Sequence, residues 1–255
     1  MKKWMVMALL LATACVSQPT QQQPAFYDSR MGGDSPTRQR ARIHTELGSG
    51  YYSQGMLAVA LDELLQASQI DSSYSPAHDG LGLVYSALHQ DSLAEASFKR
   101  SLQLDPVSSE AHNNYGTFLC SRNRMDESIT EFMAAVKNPL YSTPEIAYLN
   151  AGVCALKKQD GTSAESYLIK ALQEQPKLGK ASYYLAGIYL DRGDAKKANA
   201  YLIRALDNIE TSPEILWLGV QIARQTGDKN AEASYAMLLK NKFPSSDQAQ
   251  TLVSE

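Results

Sequence analysis

The chain has 255 residues, 44% of them hydrophobic and 20% charged, with 24 Lys and Arg against 27 Asp and Glu and a formal net charge of −3. That length and apolar share allow one large or two ordinary cores and exclude disorder throughout. The slight acidity lacks the basic balance that nucleic acid selects, so no nucleic-acid partner is expected. Three Cys and four His are too few for a disulfide scaffold or a zinc ribbon, and no apolar run reaches the roughly 20 residues of a spanning helix.

Lys2 and Lys3 precede an apolar stretch from Trp4 to Ala14, the pattern of a secretory signal, and residues 1–14 are expected to be removed. Leu11-Ala12-Thr13-Ala14-Cys15 resembles a bacterial lipobox, in which the cysteine is acylated and becomes the first residue of the mature chain. Ala12 stands where that motif usually has Leu, and Ala12-Thr13-Ala14 also fits the cleavage site of a soluble exported protein. We expect lipid attachment at Cys15, because acyl chains supply a membrane affinity that the mature chain lacks. The absence of Asp at Val16 points, by resemblance to lipoprotein sorting, to the outer membrane and its periplasmic face. Residues 15–38, rich in Gln, Ser, Pro, Thr and Gly, read as a flexible tether.

Residues 39–244 repeat. Gly48, Gly82, Gly116, Gly152, Ala186 and Gly219 are separated by 34, 34, 36, 34 and 33 residues. Twelve residues after each stands Ala60, Ala94, Ser128, Ala164, Ala198 or Ala231, small residues where two backbones approach. Sixteen after stand Leu64, Phe98, Phe132, Leu168, Leu202 and Tyr235, which fill the remaining space, and nineteen after stand Ala67, Ser101, Ala135, Ala171, Ala205 and Leu238. Within each unit the apolar spacing is helical and is broken by a polar turn such as Arg192-Gly193-Asp194, so a unit is helix, turn, helix. With L-G-x2-Y in the first helix and A-x3-F-x2-A in the second, the unit is identified as a tetratricopeptide repeat. The predicted fold is therefore all-α, a right-handed superhelix of six such repeats whose first helices line a concave groove. Two extra residues fall between the third and fourth repeats, within Asn138–Glu145. Residues 245–255 read as a C-terminal tail, leaving the last repeat helix to act as its own polar cap.

His44, His78 and His112 recur at the same spacing, four residues before the Gly of their repeats. Helices of successive repeats lie about 10 Å apart, too far for two ligands of one ion, so we read these His as interior packing residues and expect no metal. His89 falls at a turn and is expected to be solvated. No nucleophile elbow, zincin motif or phosphate loop is present, and the carboxylates are scattered. An enzyme is not expected, nor is a cofactor.

The segment from Asn138 to Ala155 resembles the N-P-x-Y-x-x-P-x-x-x-x-x-N-x-G-x-C stretch of the PilF/PilW family of type IV pilus biogenesis proteins, and Asn113–Cys120 resembles that family's third repeat. Lipobox, tether and six repeats extend the resemblance over the whole mature chain. It implies a pilotin, an outer-membrane lipoprotein that binds subunits of the pilus secretin (PilQ-like) and promotes their multimerisation. Periodicity by itself supports only a binding scaffold, and a periplasmic adaptor for a cell-wall synthase or hydrolase is the alternative.

First-helix positions that packing does not need give a candidate partner groove near the tether: Arg42, Thr45, Ser49, Tyr52 and Ser53 in the first repeat, Asp79, Leu83 and Ser86 in the second. Tyr52 and Leu83 are its best anchors. Cys120 and Cys154 lie in equivalent helices of consecutive repeats, two positions out of register, and are either disulfide-bonded or buried as free thiols. The oxidising compartment favours the bond.

Overall fold

Over residues 35–254, the part of the chain that the computed structural model describes, the helical spacing resolves into thirteen α-helices and no strand. Twelve of them form consecutive hairpins: α1 (Pro36–Ser53) with α2 (Leu57–Ile70), α3 (Ser75–Ala87) with α4 (Asp91–Leu104), α5 (Ser109–Ser121) with α6 (Met125–Ala135), α7 (Pro144–Lys157) with α8 (Gly161–Glu174), α9 (Gly179–Asp191) with α10 (Ala195–Leu206), and α11 (Pro213–Thr226) with α12 (Lys229–Lys242). A last helix, α13 (Asp247–Ser254), has no partner of its own. This is the stack of six tetratricopeptide repeats. The export segment, Cys15 and the tether up to residue 34 lie outside the described residues.

Each hairpin closes through local chemistry. The residue that turns the chain is left-handed in every repeat: Gly55, His89, Asn123, Gln159, Gly193 and Gly227 all have positive φ, between 57° and 80°. In the last three repeats the second helix starts on a side-chain cap, with Asp160, Asp194 and Asp228 accepting from the amides of Ser163, Lys197 and Ala231. Pro144 and Pro213 open α7 and α11, where a missing N–H costs nothing.

Small residues set how closely the two helices approach. A Cβ added at Gly82 would lie 2.6 Å from the Phe98 ring, and at Gly116 2.8 Å from the Phe132 ring, so the residue sixteen positions later occupies the space that a side chain would need. The partner small residues Ala60, Ala94, Ser128, Ala164 and Ala198 are all fully buried. First helices also pack on the neighbouring first helices, α1 on α3, α3 on α5, α5 on α7, α7 on α9 and α9 on α11, which places them along one face.

Three expectations are corrected. The first repeat begins at Pro36, inside the segment read as tether to residue 38, because α1 gains a turn at its N-terminus, anchored where Arg38 bonds Asp71 at 3.1 Å and Ser73 at 3.1 Å. Residues 245–255 are not simply a tail, and α12 is not its own cap: α13 packs against both α11 and α12 and, through Ala249 and Leu252, closes a cluster with Leu216 and Leu239. Leu238, expected at a buried position, is 42% exposed while Leu239 is fully buried. The left-handed residue of the sixth turn comes eight rather than seven positions after its repeat's Gly, and one added residue rotates the following helix by about 100°.

Candidate functional site

The first-helix face is polar at one end and apolar towards the other. Across repeats two to four runs a ladder of side-chain bonds: Asn114 Nδ2 donates to Asp79 Oδ2 at 2.8 Å, and Asn150 Nδ2 donates to Asn113 Oδ1 at 3.0 Å. Each bond links one first helix to the next. A cavity of about 140 Å³ opens beside this ladder, lined by Thr117, Cys120, Ser121, Asn150, Val153 and Lys157 over a floor of Phe132. In repeats four and five the face becomes apolar, with Leu149 buried and Val153, Leu156, Tyr183 and Leu190 half-buried. A Cβ at Gly187 would meet nothing within 4 Å, so open space lies above α9 there.

The residues singled out from sequence are only partly where a partner could reach them. Arg42 and Ser49 are exposed, and Ser53 is exposed with its hydroxyl donating to the Gly50 carbonyl at 2.7 Å. Thr45 is not a groove residue: it is buried, and its hydroxyl donates to the Ala41 carbonyl of its own helix at 2.9 Å. Tyr52 and Leu83 are half-buried against the clusters of the first and second hairpins, so both serve packing as well as surface. Ser86 is half-buried and its carbonyl accepts from Arg122 at 3.5 Å. Asp79 is half-buried as a residue, but its carboxyl is enclosed, and burial pushes its pKa up to about 6.

A surface that the sequence reading missed lies on the free side of α1. Leu47 is 45% exposed, whereas the residues at the same position of the later repeats, Leu81, Tyr115, Ala151, Leu185 and Leu218, are all buried. Those five are covered by the preceding repeat, and among the described residues nothing plays that part for α1. Ile43 is 53% exposed one turn earlier, and Tyr51 is half-buried one turn later. The three residues, with Glu46, Gly50 and Gln54, line a groove of about 390 Å³. The signal was present in the repeat pattern, since the first unit of any stack has packing positions with no unit before it.

The histidines are corrected too. They are partly buried rather than interior, with side chains 27% exposed at His44 and 15% at His112: His44 Nδ1 bonds Glu63 Oε2 at 2.7 Å and His112 Nδ1 bonds Glu131 Oε2 at 2.6 Å, each tying the first helix of a repeat to its second. His78 bonds the Ser72 carbonyl at 3.1 Å instead. His89 is exposed and serves as a left-handed turn residue. Among the described residues no group of three or more His, Cys, Asp or Glu is arranged to hold a metal. Carboxylates with strong partners act as fasteners between repeats: Lys99 and Arg124 pull the Glu95 pKa down to about 2, and the Tyr115 hydroxyl donates to the same carboxylate at 3.0 Å. Cys120 and Cys154 lie with Cα atoms 5.9 Å apart, inside the range a disulfide spans, with Met125 Sδ against both sulfurs.

These surfaces are those of a binding scaffold, and comparison with known proteins gives them a context. A tetratricopeptide-repeat family model matches residues 149–213. The chain is 26% identical over 219 residues to the type IV pilus assembly protein PilF of Pseudomonas aeruginosa, covering 86% of this chain and 87% of that one. The crystal structure of PilW, a widely conserved type IV pilus biogenesis factor, superposes with a TM-score of 0.77 at 32% identity, covering 84% of this chain and 99% of that one. The structure of Pseudomonas aeruginosa PilF matches in fold, with a TM-score of 0.79 at 24% identity. The chain belongs to the PilF/PilW family of tetratricopeptide-repeat type IV pilus biogenesis proteins.

Proposed function

We propose that the protein is a pilotin, held on the periplasmic face of the outer membrane by acylation of Cys15, which captures subunits of the type IV pilus secretin and promotes their assembly into the outer-membrane ring. The observation that carries the binding half is the exposure of Leu47 at a position buried in all five later repeats. Together with Ile43 and Tyr51 it forms an apolar groove with a polar rim, the anatomy of a docking surface for a short amphipathic segment. The anchor and the membrane rest on the lipobox resemblance, and the secretin on the resemblance of Asn138–Ala155 to the pilus family.

The test is replacement of the gene by a variant carrying Ile43→Ser and Leu47→Asp. Both side chains are exposed, so stability should change by no more than about 0.5 kcal/mol, while detergent-resistant secretin multimers and surface pili should fall as in a deletion strain. Normal multimers in both the variant and the deletion strain would reject the pilotin reading. Normal multimers in the variant alone would move the docking surface to the concave face. Cys15→Ser should leave the repeats folded and release the protein from the membrane.

A further inference from the structure

The cavity of about 140 Å³ between α5 and α7 combines an apolar floor with one cation. Phe132 beneath it is 1% exposed, and the buried Cys120 and half-buried Val153 extend the apolar part. Lys157, the last residue of α7, lines the same cavity, is exposed, and forms no ion pair among the described residues. The cations nearest to it in sequence and in the preceding repeat are engaged: Asp126 holds Lys158, and Asp91 holds Arg122. No carboxylate lines the cavity. Its remaining polar groups are already oriented. The Thr117 hydroxyl donates to the Asn113 carbonyl at 2.9 Å and the Ser121 hydroxyl to the Phe118 carbonyl at 2.6 Å, so both offer only lone pairs to an occupant. Asn150 spends one amide N–H on Asn113 Oδ1, which leaves its second N–H and its Oδ1 without a partner among the described residues.

An occupant that satisfies this arrangement has a negative charge at the exposed Lys157 and apolar atoms on the buried Phe132. An acidic side chain reaching in from a passing segment does the reverse, since its carboxylate would arrive at the floor, away from both the ammonium and water, where an unpaired charge is costly. The free end of a chain meets both demands. Its α-carboxylate stays at the rim, its last side chain points inward, and its last peptide unit offers Asn150 one donor and one acceptor. A space of this size takes a single apolar group and little more. We propose that the cavity between α5 and α7 receives the C-terminal residue of a partner protein, with an apolar side chain on Phe132 and Val153 and the α-carboxylate on Lys157. This goes beyond the pilotin reading, because it states a chemical requirement on a bound chain whichever protein supplies it, at a place separate from the α1 groove.

The experiment uses small probes and no secretin, so its outcome does not depend on that reading. The tripeptide acetyl-Gly-Ala-Leu with a free carboxyl end is titrated into the exported chain carrying Cys15→Ser, following backbone amides by NMR. Three controls run in parallel: the same peptide ending in an amide, acetyl-Gly-Ala-Gly with a free carboxyl end, and acetyl-Gly-Glu-Ala ending in an amide. The first peptide should shift the amides of Thr117, Ser121, Asn150, Val153 and Lys157 saturably. Its amide form should bind about fivefold more weakly, the size of one ion pair that solvent reaches, and the Gly-ended peptide about tenfold more weakly for want of the buried side chain. Lys157→Gln, an exposed change that leaves the repeats folded, should bind the acid and amide forms alike. Equal binding of the acid and amide forms by the unsubstituted chain, equal binding of the Leu-ended and Gly-ended peptides, or as strong a response to the internal glutamate would each overturn the proposal. So would shifts spread over other lysines, no shift at the solubility limit, or a preference for the acid form that survives Lys157→Gln. Ile43→Ser and Leu47→Asp should leave the probe response as it is, which separates failure of this site from failure of the secretin reading.

Discussion

Cys120 on α5 and Cys154 on α7 face each other across the junction between the third and fourth repeats, the one junction where the repeat spacing is 36 rather than 34 residues. The Asn138–Glu145 loop lengthens the connection there, so a covalent tie between the flanking first helices restores a fixed distance that the loop alone would not impose. Across their sequence separation of 34 residues, a disulfide would add about 4 kcal/mol on the chain-entropy account. Protein exported to the periplasm and alkylated without reduction should yield a linked Cys120–Cys154 peptide pair by mass spectrometry. Reduction, or Cys120→Ala with Cys154→Ala, should lower the urea midpoint; two fully alkylated thiols in the unreduced protein would reject the bond.

The His112–Glu131 bond makes part of the stability depend on pH. Glu131 holds the His112 pKa above its ordinary 6.5, so the folded state binds this proton more tightly than the unfolded chain does. The contribution is therefore fully present below about pH 6.5 and is lost as pH rises through the higher folded-state pKa. Both side chains are mostly shielded, and about 1 kcal/mol is expected. Urea unfolding at pH 5.5 and 8.5 should show this loss in the native chain and a smaller one in His112→Gln.

The left-handed turn residues offer a graded test of backbone strain. Three of the six are not glycine. Gln159→Gly should stabilise the fold by about 1 kcal/mol, because a side chain with a Cβ is held where only glycine is unstrained. Asn123→Gly should gain less, since Asn tolerates this region better than Gln, with His89→Gly between them. Thermal melts of the three variants should rank in that order.

Deleting residues 245–255 should loosen the end of the stack and little else. The cut removes Ala249 and Leu252 from Leu216 and Leu239, a loss of about 2–4 kcal/mol in apolar burial confined to the last repeat. Hydrogen exchange should speed up in α11 and α12 and stay unchanged in α1 to α6. Uniform acceleration along the chain would mean that the repeats unfold as one unit.

Much of the architecture was legible because a repeat states its own rules several times. Six occurrences of a small residue, with a large one sixteen positions later, identify the helix pair, and Gly82 against Phe98 shows the reason in a clash that a Cβ would cause. Where the pattern is stated once, the reading failed. Asp247–Ser254 is too short to show a period, yet α13 forms because Leu216 and Leu239 need a cover. Leu238 and Leu239 cannot be ranked by type, and one added turn residue decided which of them faces inward.

The sequence by itself determined the number of hairpins, the register of the first five, the turn positions and the family resemblance, since all of these follow from local spacing repeated along the chain. Tertiary structure decided which equivalent positions end up exposed. Leu47 and Leu81 occupy the same place in their repeats, and only the presence of a preceding helix pair separates a docking surface from a core residue. Asp79 reads locally as an ordinary surface carboxylate, but the packing of α5 beside α3 encloses it and leaves one oxygen unmatched. Burial belongs to the neighbour as much as to the residue, and the neighbour is set by the stacking of repeats that lie about 34 positions apart.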